Sequence, residues 1–88
     1  MILPKHSQAL EVESFQGKLG PTGSVQLHPI RGQPFPTTLL VEGNKSLVQD
    51  YPVGSRFRVQ ATLTDRPLGG QFLYTSWQWD VTVREPDA

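Results

Sequence analysis

The sequence predicts an all-β fold, a small five-stranded antiparallel barrel, and three observations carry that reading. Five runs have a period of two residues, which places alternate side chains on opposite faces of a strand. Eight glycines and eight prolines among 88 residues punctuate the chain as closely as short strands and tight turns require. No segment sustains three turns of helical period. Five short strands with no covering helix would expose their edges in an open sheet, so the sheet is expected to curl up and close. A chain of this length makes one domain, residues 1–88, and buries only about 60–65% of its unfolded surface.

The runs come in order. Residues 8–15, QALEVESF, set Leu10 and Val12 on one face with Glu11 and Glu13 opposite. Residues 24–28, SVQLH, alternate through Val25 and Leu27, and residues 37–42, TTLLVE, are aliphatic and β-branched but alternate less cleanly. Residues 56–64, RFRVQATLT, alternate without a break. Phe57, Val59, Ala61 and Leu63 point in; Arg56, Arg58, Gln60, Thr62 and Thr64 point out. Residues 71–83, QFLYTSWQWDVTV, form the fifth run. Its period puts Leu73, Trp77, Trp79, Val81 and Val83 on the core face, and Phe72 and Tyr74 on the other.

The connection from Gly43 to Gly54 differs from the other links. Asn44 or Ser46 is placed to cap a single helical turn through Leu47, Val48 and Asp50. "YPVG" then reads as a type I turn with Pro52 second and Gly54 fourth. Three strands, a short helical turn and a closing hairpin is the order of an OB-like barrel. An SH3-like barrel, with its single-turn helix before the last strand, fits nearly as well.

The link Asp65-Arg66-Pro67-Leu68-Gly69-Gly70 joins the last two runs as a hairpin, and the inward faces must match. The favoured register sets Leu63 opposite Leu73, Thr62 opposite Tyr74 and Thr64 opposite Phe72. It continues with Val59 opposite Trp77, Phe57 opposite Trp79 and Arg56 opposite Asp80. Opposite charges and aromatic–threonine neighbours each add roughly 0.2–1 kcal/mol, and a slip of two residues loses the charge pair. Phe72 and Tyr74 then lie near the loop end, away from the tryptophans. Either the strand bends through a bulge and Ile2, Leu3, Ile30 or Phe35 cover them, or they form an exposed platform for a planar ligand or a subunit.

Composition narrows the chemistry. There is no cysteine, and His6 and His28 are the sole histidines, so disulfides, thiolate metal sites and a zinc cluster are not expected. Eight basic and eight acidic residues give zero net charge, which leaves no general field to draw DNA, RNA or anionic lipid. Arg56, Arg58 and Tyr74 on one face, with Arg66 and Lys45 nearby, resemble a single-strand nucleic-acid groove. Asp80 opposite Arg56, Asp65 beside Arg66, and Glu11 and Glu13 on another outward face make paired surface charge the plainer reading, so nucleic acid is not the favoured partner. "GKLGPTGS", residues 17–24, has the glycines and lysine of a phosphate loop without its order or a following helix. Neither histidine stands near a serine with a plausible third group, and no carboxylate pair has acid–base spacing. No enzyme and no cofactor is expected. Trp77 and Trp79 would bury roughly 400 Å² together, although Trp79 at an open barrel end can instead line a small ligand pocket.

The expectation is therefore a non-catalytic binding module that meets a protein partner or a second copy of itself through an outward aromatic patch. A homodimer is allowed. A small planar ligand or single-stranded nucleic acid is the alternative. Candidate contact residues are Phe72, Tyr74, Arg56, Arg58, Arg66 and Trp79. The N-terminal Met1-Ile2-Leu3-Pro4 is too short for a signal peptide and no apolar run reaches a membrane span, which makes the cytoplasm the default compartment.

Overall fold

The computed structural model describes residues 7–17 and 25–84. Its elements in chain order are β1 (Gln8–Gln16), β2 (Val25–Pro29), β3 (Val41–Glu42), the single helical turn α1 (Ser46–Gln49), β4 (Arg56–Asp65), β5 (Gln71–Tyr74) and β6 (Val81–Arg84). Neighbouring strands run β1-β2-β3-β5-β4, and β4 pairs again with β1, so the sheet closes on itself as expected. The helical turn falls between the third and fourth strands, the OB-like arrangement rather than the SH3-like one. One pairing departs from the antiparallel expectation. β3 and β5 run parallel, with Val41 opposite Leu73 and Glu42 opposite Tyr74, because the α1 connection carries the chain across the barrel end before β4 begins.

The interior is filled by alternate residues of each strand. Leu10 and Val12 of β1, Leu27 of β2, Val41 of β3, Phe57, Val59 and Ala61 of β4 and Leu73 of β5 are all buried, and Leu47 of α1 joins them. Phe35, Leu39, Val48 and Val81 pack against this cluster. Leu63, read as inward, is 44% exposed, since it lies on β4 near the hairpin tip, past the buried run. The run at 37–42 shortens to two paired residues, with Leu39 and Leu40 half-buried beside them.

Two local expectations shift by a residue. The helical turn has Lys45 at its cap with no side-chain bond; the Ser46 hydroxyl instead donates to Asn44 Oδ1 at 2.6 Å. The turn before β4 runs from Pro52 to Ser55, closed by the Ser55 N–H to the Pro52 carbonyl at 3.1 Å. That places Gly54 third, at φ +93°, where a type II turn needs the left-handed conformation that glycine adopts without strain. Buried Ser14 fixes this turn to β1: the Gly54 N–H reaches the Ser14 carbonyl and Oγ at 3.0 and 3.1 Å.

The fifth run is where prediction and structure part. Near the hairpin tip the register is as expected, with Thr62 opposite Tyr74, Leu63 opposite Leu73 and Thr64 opposite Phe72. Beyond Tyr74 the strand breaks, and pairing resumes with Val59 opposite Val81, Phe57 opposite Val83 and Arg56 opposite Arg84. Residues 75–80 thus span the two β4 positions Gln60 and Ala61 as an excursion with four surplus residues. Trp77 and Trp79 therefore do not oppose Val59 and Phe57, and Arg56 does not oppose Asp80. Trp77 is 72% exposed, Val83 is 46% exposed and Trp79 is half-buried. Five strands enclose room for Phe57, Leu27, Leu73 and the valines, and at interior packing density no space remains for two indoles.

Candidate functional site

The excursion is held at its root. Thr75 is fully buried; its N–H donates to the Glu42 carbonyl at 2.8 Å and its hydroxyl to the Gln60 carbonyl at 2.7 Å. Those bonds tie both neighbouring strands to the residue at which β5 stops. Ser76 then shapes the turn: its carbonyl accepts from the Trp79 N–H at 3.1 Å and its Oγ from the Gln78 N–H at 3.1 Å. A serine hydroxyl bonded to a backbone N–H two residues on offers the chain an alternative to the strand ladder. The loop is therefore built rather than loose.

Two aromatics pack together at this loop. Tyr74, 40% exposed, and Trp79 stand edge to face, with ring centroids 5.6 Å apart and planes at 89°. Trp77 projects beside Gly43, Asn44, Lys45 and Ser46, along a cleft of about 470 Å³. Gly43 makes room for the arrangement. A Cβ there would lie 2.2 Å from the Thr75 carbonyl oxygen and 2.7 Å from Tyr74 Cε1, at a φ of +112°. On the other side Trp79, with Arg58, Gln60, Gln78, Asp80 and Thr82, lines a second cleft of about 250 Å³.

The other expected contact residues are distributed differently. Phe72 is half-buried beneath the Arg66 guanidinium, 4.6 Å from the ring centroid, and Arg66 also pairs with Glu42. The proposed cover from Ile2 and Leu3 lies outside the described residues; Phe35 packs on the core instead. Arg56 pairs with Glu13 at 3.0 Å and Arg84 with Glu11 at 3.2 Å. These partners replace the expected Asp80 and Asp65, while Asp65 accepts from the Gln71 side chain at 3.0 Å. Arg58 is exposed and makes no ion pair with the described residues. Tyr74, Trp79 and Arg58 thus come together, whereas Phe72, Arg66 and Arg56 belong to separate structural contacts.

His28, near the end of β2, is half-buried. Its Nδ1 lies 2.9 Å from the Pro29 carbonyl, its ring meets Phe15 edge-on at 4.7 Å, and Nε2 is 4.0 Å from Glu13. No group of three or more metal-ligating side chains occurs among the described residues, and among them no helix is long and apolar enough to cross a membrane. His6 and most of the 17–24 loop lie outside the described residues.

The residue that the pattern missed is Trp77. "TSW" carried a signal: a threonine and a serine in mid-strand, both able to bond backbone groups, mark a break that simple alternation ignores. No protein-family model matches the chain, and neither a curated protein nor a solved structure matches it.

Proposed function

We propose that this chain is a non-catalytic binding module that contacts another protein through Tyr74, Trp77 and Trp79. The observation that carries the reading is an indole 72% exposed on a loop whose root is hydrogen-bonded in the interior. Tryptophan and tyrosine are the side chains most enriched as interface anchors. A rigid loop has already lost the conformational freedom that binding would otherwise remove.

Magnitudes favour an apolar partner surface over a phosphate chain. Covering the exposed part of one indole removes about 150 Å² from water, worth about 4 kcal/mol. The cations flanking the patch are Arg58 and Lys45; Arg56, Arg66 and Arg84 are matched by glutamates. Two neutralised phosphates on a single strand change affinity by only about sevenfold between 50 and 200 mM salt. The apolar contribution is the larger.

The test replaces Gln78, between the two indoles, with a photo-cross-linking amino acid in cells that express the chain. The expected product is a protease-sensitive adduct of discrete mass that disappears when Trp77→Ala is added and the chain remains folded. A nuclease-sensitive adduct, or one indifferent to Trp77→Ala, overturns the reading.

A second reading rests on the smaller cleft. Trp79 supplies a stacking face there, and Arg58, Asp80, Gln60 and Thr82 supply donors and acceptors of both signs, which suits a small neutral ring. At about 250 Å³ the cleft is below the usual 300–1,000 Å³ of ligand pockets, so it ranks second. Its test is a titration with nucleosides and monosaccharides followed by Trp79 fluorescence in a Trp77→Phe chain; an unchanged spectrum at millimolar ligand removes it.

A further inference from the structure

We infer that two copies of this chain associate through antiparallel pairing of β6 with β6 about a twofold axis. β6 is hydrogen-bonded to β4 along one edge and is the terminal strand of the sheet order, so among the described residues its other edge has no strand partner. Thr82, Val83 and Arg84 are exposed. A bare edge is a template for another strand unless something blunts it. Val81–Arg84 contains no proline and no bulge.

The sequence around that edge says which strand fits. Asp80-Val81-Thr82-Val83-Arg84 is complementary to itself when run antiparallel. With Thr82 on the axis, each Thr82 faces its twin, Val81 faces Val83 of the second copy, and Asp80 faces Arg84 at both ends. Faces match as well. Thr82 and Arg84 share the outer face with Arg58 and Arg56 of β4, Val81 and Val83 continue the inner one, and Asp80 lines the outer cleft beside Gln60, Arg58 and Thr82. A slip of one residue would set valines against polar neighbours. A slip of two keeps the faces but takes Asp80 away from Arg84. The centred register alone satisfies both requirements.

Charge complementarity thus commits the edge to a second copy, since each end needs one acidic and one basic residue from the same five-residue stretch. Such an interface is isologous and closes at two copies. Arg84 already meets Glu11 at 3.2 Å with its side chain 55% exposed, and a guanidinium has five donors, enough for a second carboxylate. A net charge of zero adds no general repulsion between copies. The inference is independent of the aromatic patch, because it uses the β6 backbone edge and no indole.

The test uses the full purified chain and sedimentation equilibrium from 1 to 500 µM. A reversible dimer is expected, with β6 amides exchanging more slowly as concentration rises. Asp80→Arg places two arginines at each end and Arg84→Glu places two acids; each alone should raise the dimer Kd at least tenfold. Mixing the two variants should restore association as a one-to-one heterodimer, seen by native mass spectrometry, because every end then holds opposite charges. Trp77→Ala should leave the Kd unchanged. A monomer at 500 µM overturns the inference, as does a mixture that fails to restore association while both variants melt cooperatively. Loss of the dimer in Trp77→Ala overturns it too, by placing the contact on the aromatic patch.

Discussion

Along β4, the stretch paired with β5 and the stretch paired with β6 begin from the same alternating pattern and reach different surfaces. Beside β5, Leu73 is fully buried and capped laterally by Val41 of the parallel strand β3. Beside β6, Val83 faces Phe57 yet remains 46% exposed, with no further strand among the described residues to cover it. Between them residues 75–80 leave the ladder, and the two indoles that alternation assigned to the core go with them. The surplus of four residues is even, so Val81 and Val83 return to the same face as Leu73. An alternating pattern survives such an excursion undetected.

The largest effect that separates the two stretches is expected in their inward side chains. Leu73→Ala should cost about 2–5 kcal/mol in denaturant unfolding, because a filled interior relaxes little around the void. Val83→Ala, half in water, should cost less than about 1 kcal/mol. Equal losses at the two sites would erase the distinction between a closed wall and an open edge.

Next comes the backbone beneath the patch. Gly43→Ala forces a Cβ against the Thr75 carbonyl and the Tyr74 ring at positive φ, and about 1–3 kcal/mol of destabilisation is expected from the strained conformation alone. The same change should disturb the Tyr74 and Trp79 ring contact, read as altered chemical shifts of the Trp79 indole. A chain of wild-type stability and spectrum would show that the close approach is unimportant.

Thr75→Val keeps the shape and removes the hydroxyl that donates to Gln60. Leaving that carbonyl without its donor should cost about 1–3 kcal/mol and speed amide exchange at residues 76–79 ahead of β4. Uniform acceleration across the sheet would mean that the excursion is not a separate unit.

The smallest effect belongs to the most conspicuous residue. Trp77→Ala should change stability by no more than about 0.5 kcal/mol, as for other exposed positions. In single-tryptophan chains, Trp77 should be quenched by iodide more strongly than Trp79. A loss above 2 kcal/mol would return this indole to the core and remove the contact surface.

By itself the sequence determined the all-β class, the place of the helical turn and the inward positions Leu10, Val12, Leu27, Phe57, Val59 and Ala61. It also determined the hairpin register near Leu63 and Leu73. These follow from short-range physics: side-chain period, the glycines and prolines that punctuate it, and cross-strand matching. Only the tertiary structure decided the closure of β3 onto β5, the glutamate partners of Arg56, Arg66 and Arg84, and the expulsion of Trp77. Each depends on how much volume five strands enclose and on which strands meet across the barrel. Alternation sorts residues into faces, and it is silent about whether the space behind a face is already full.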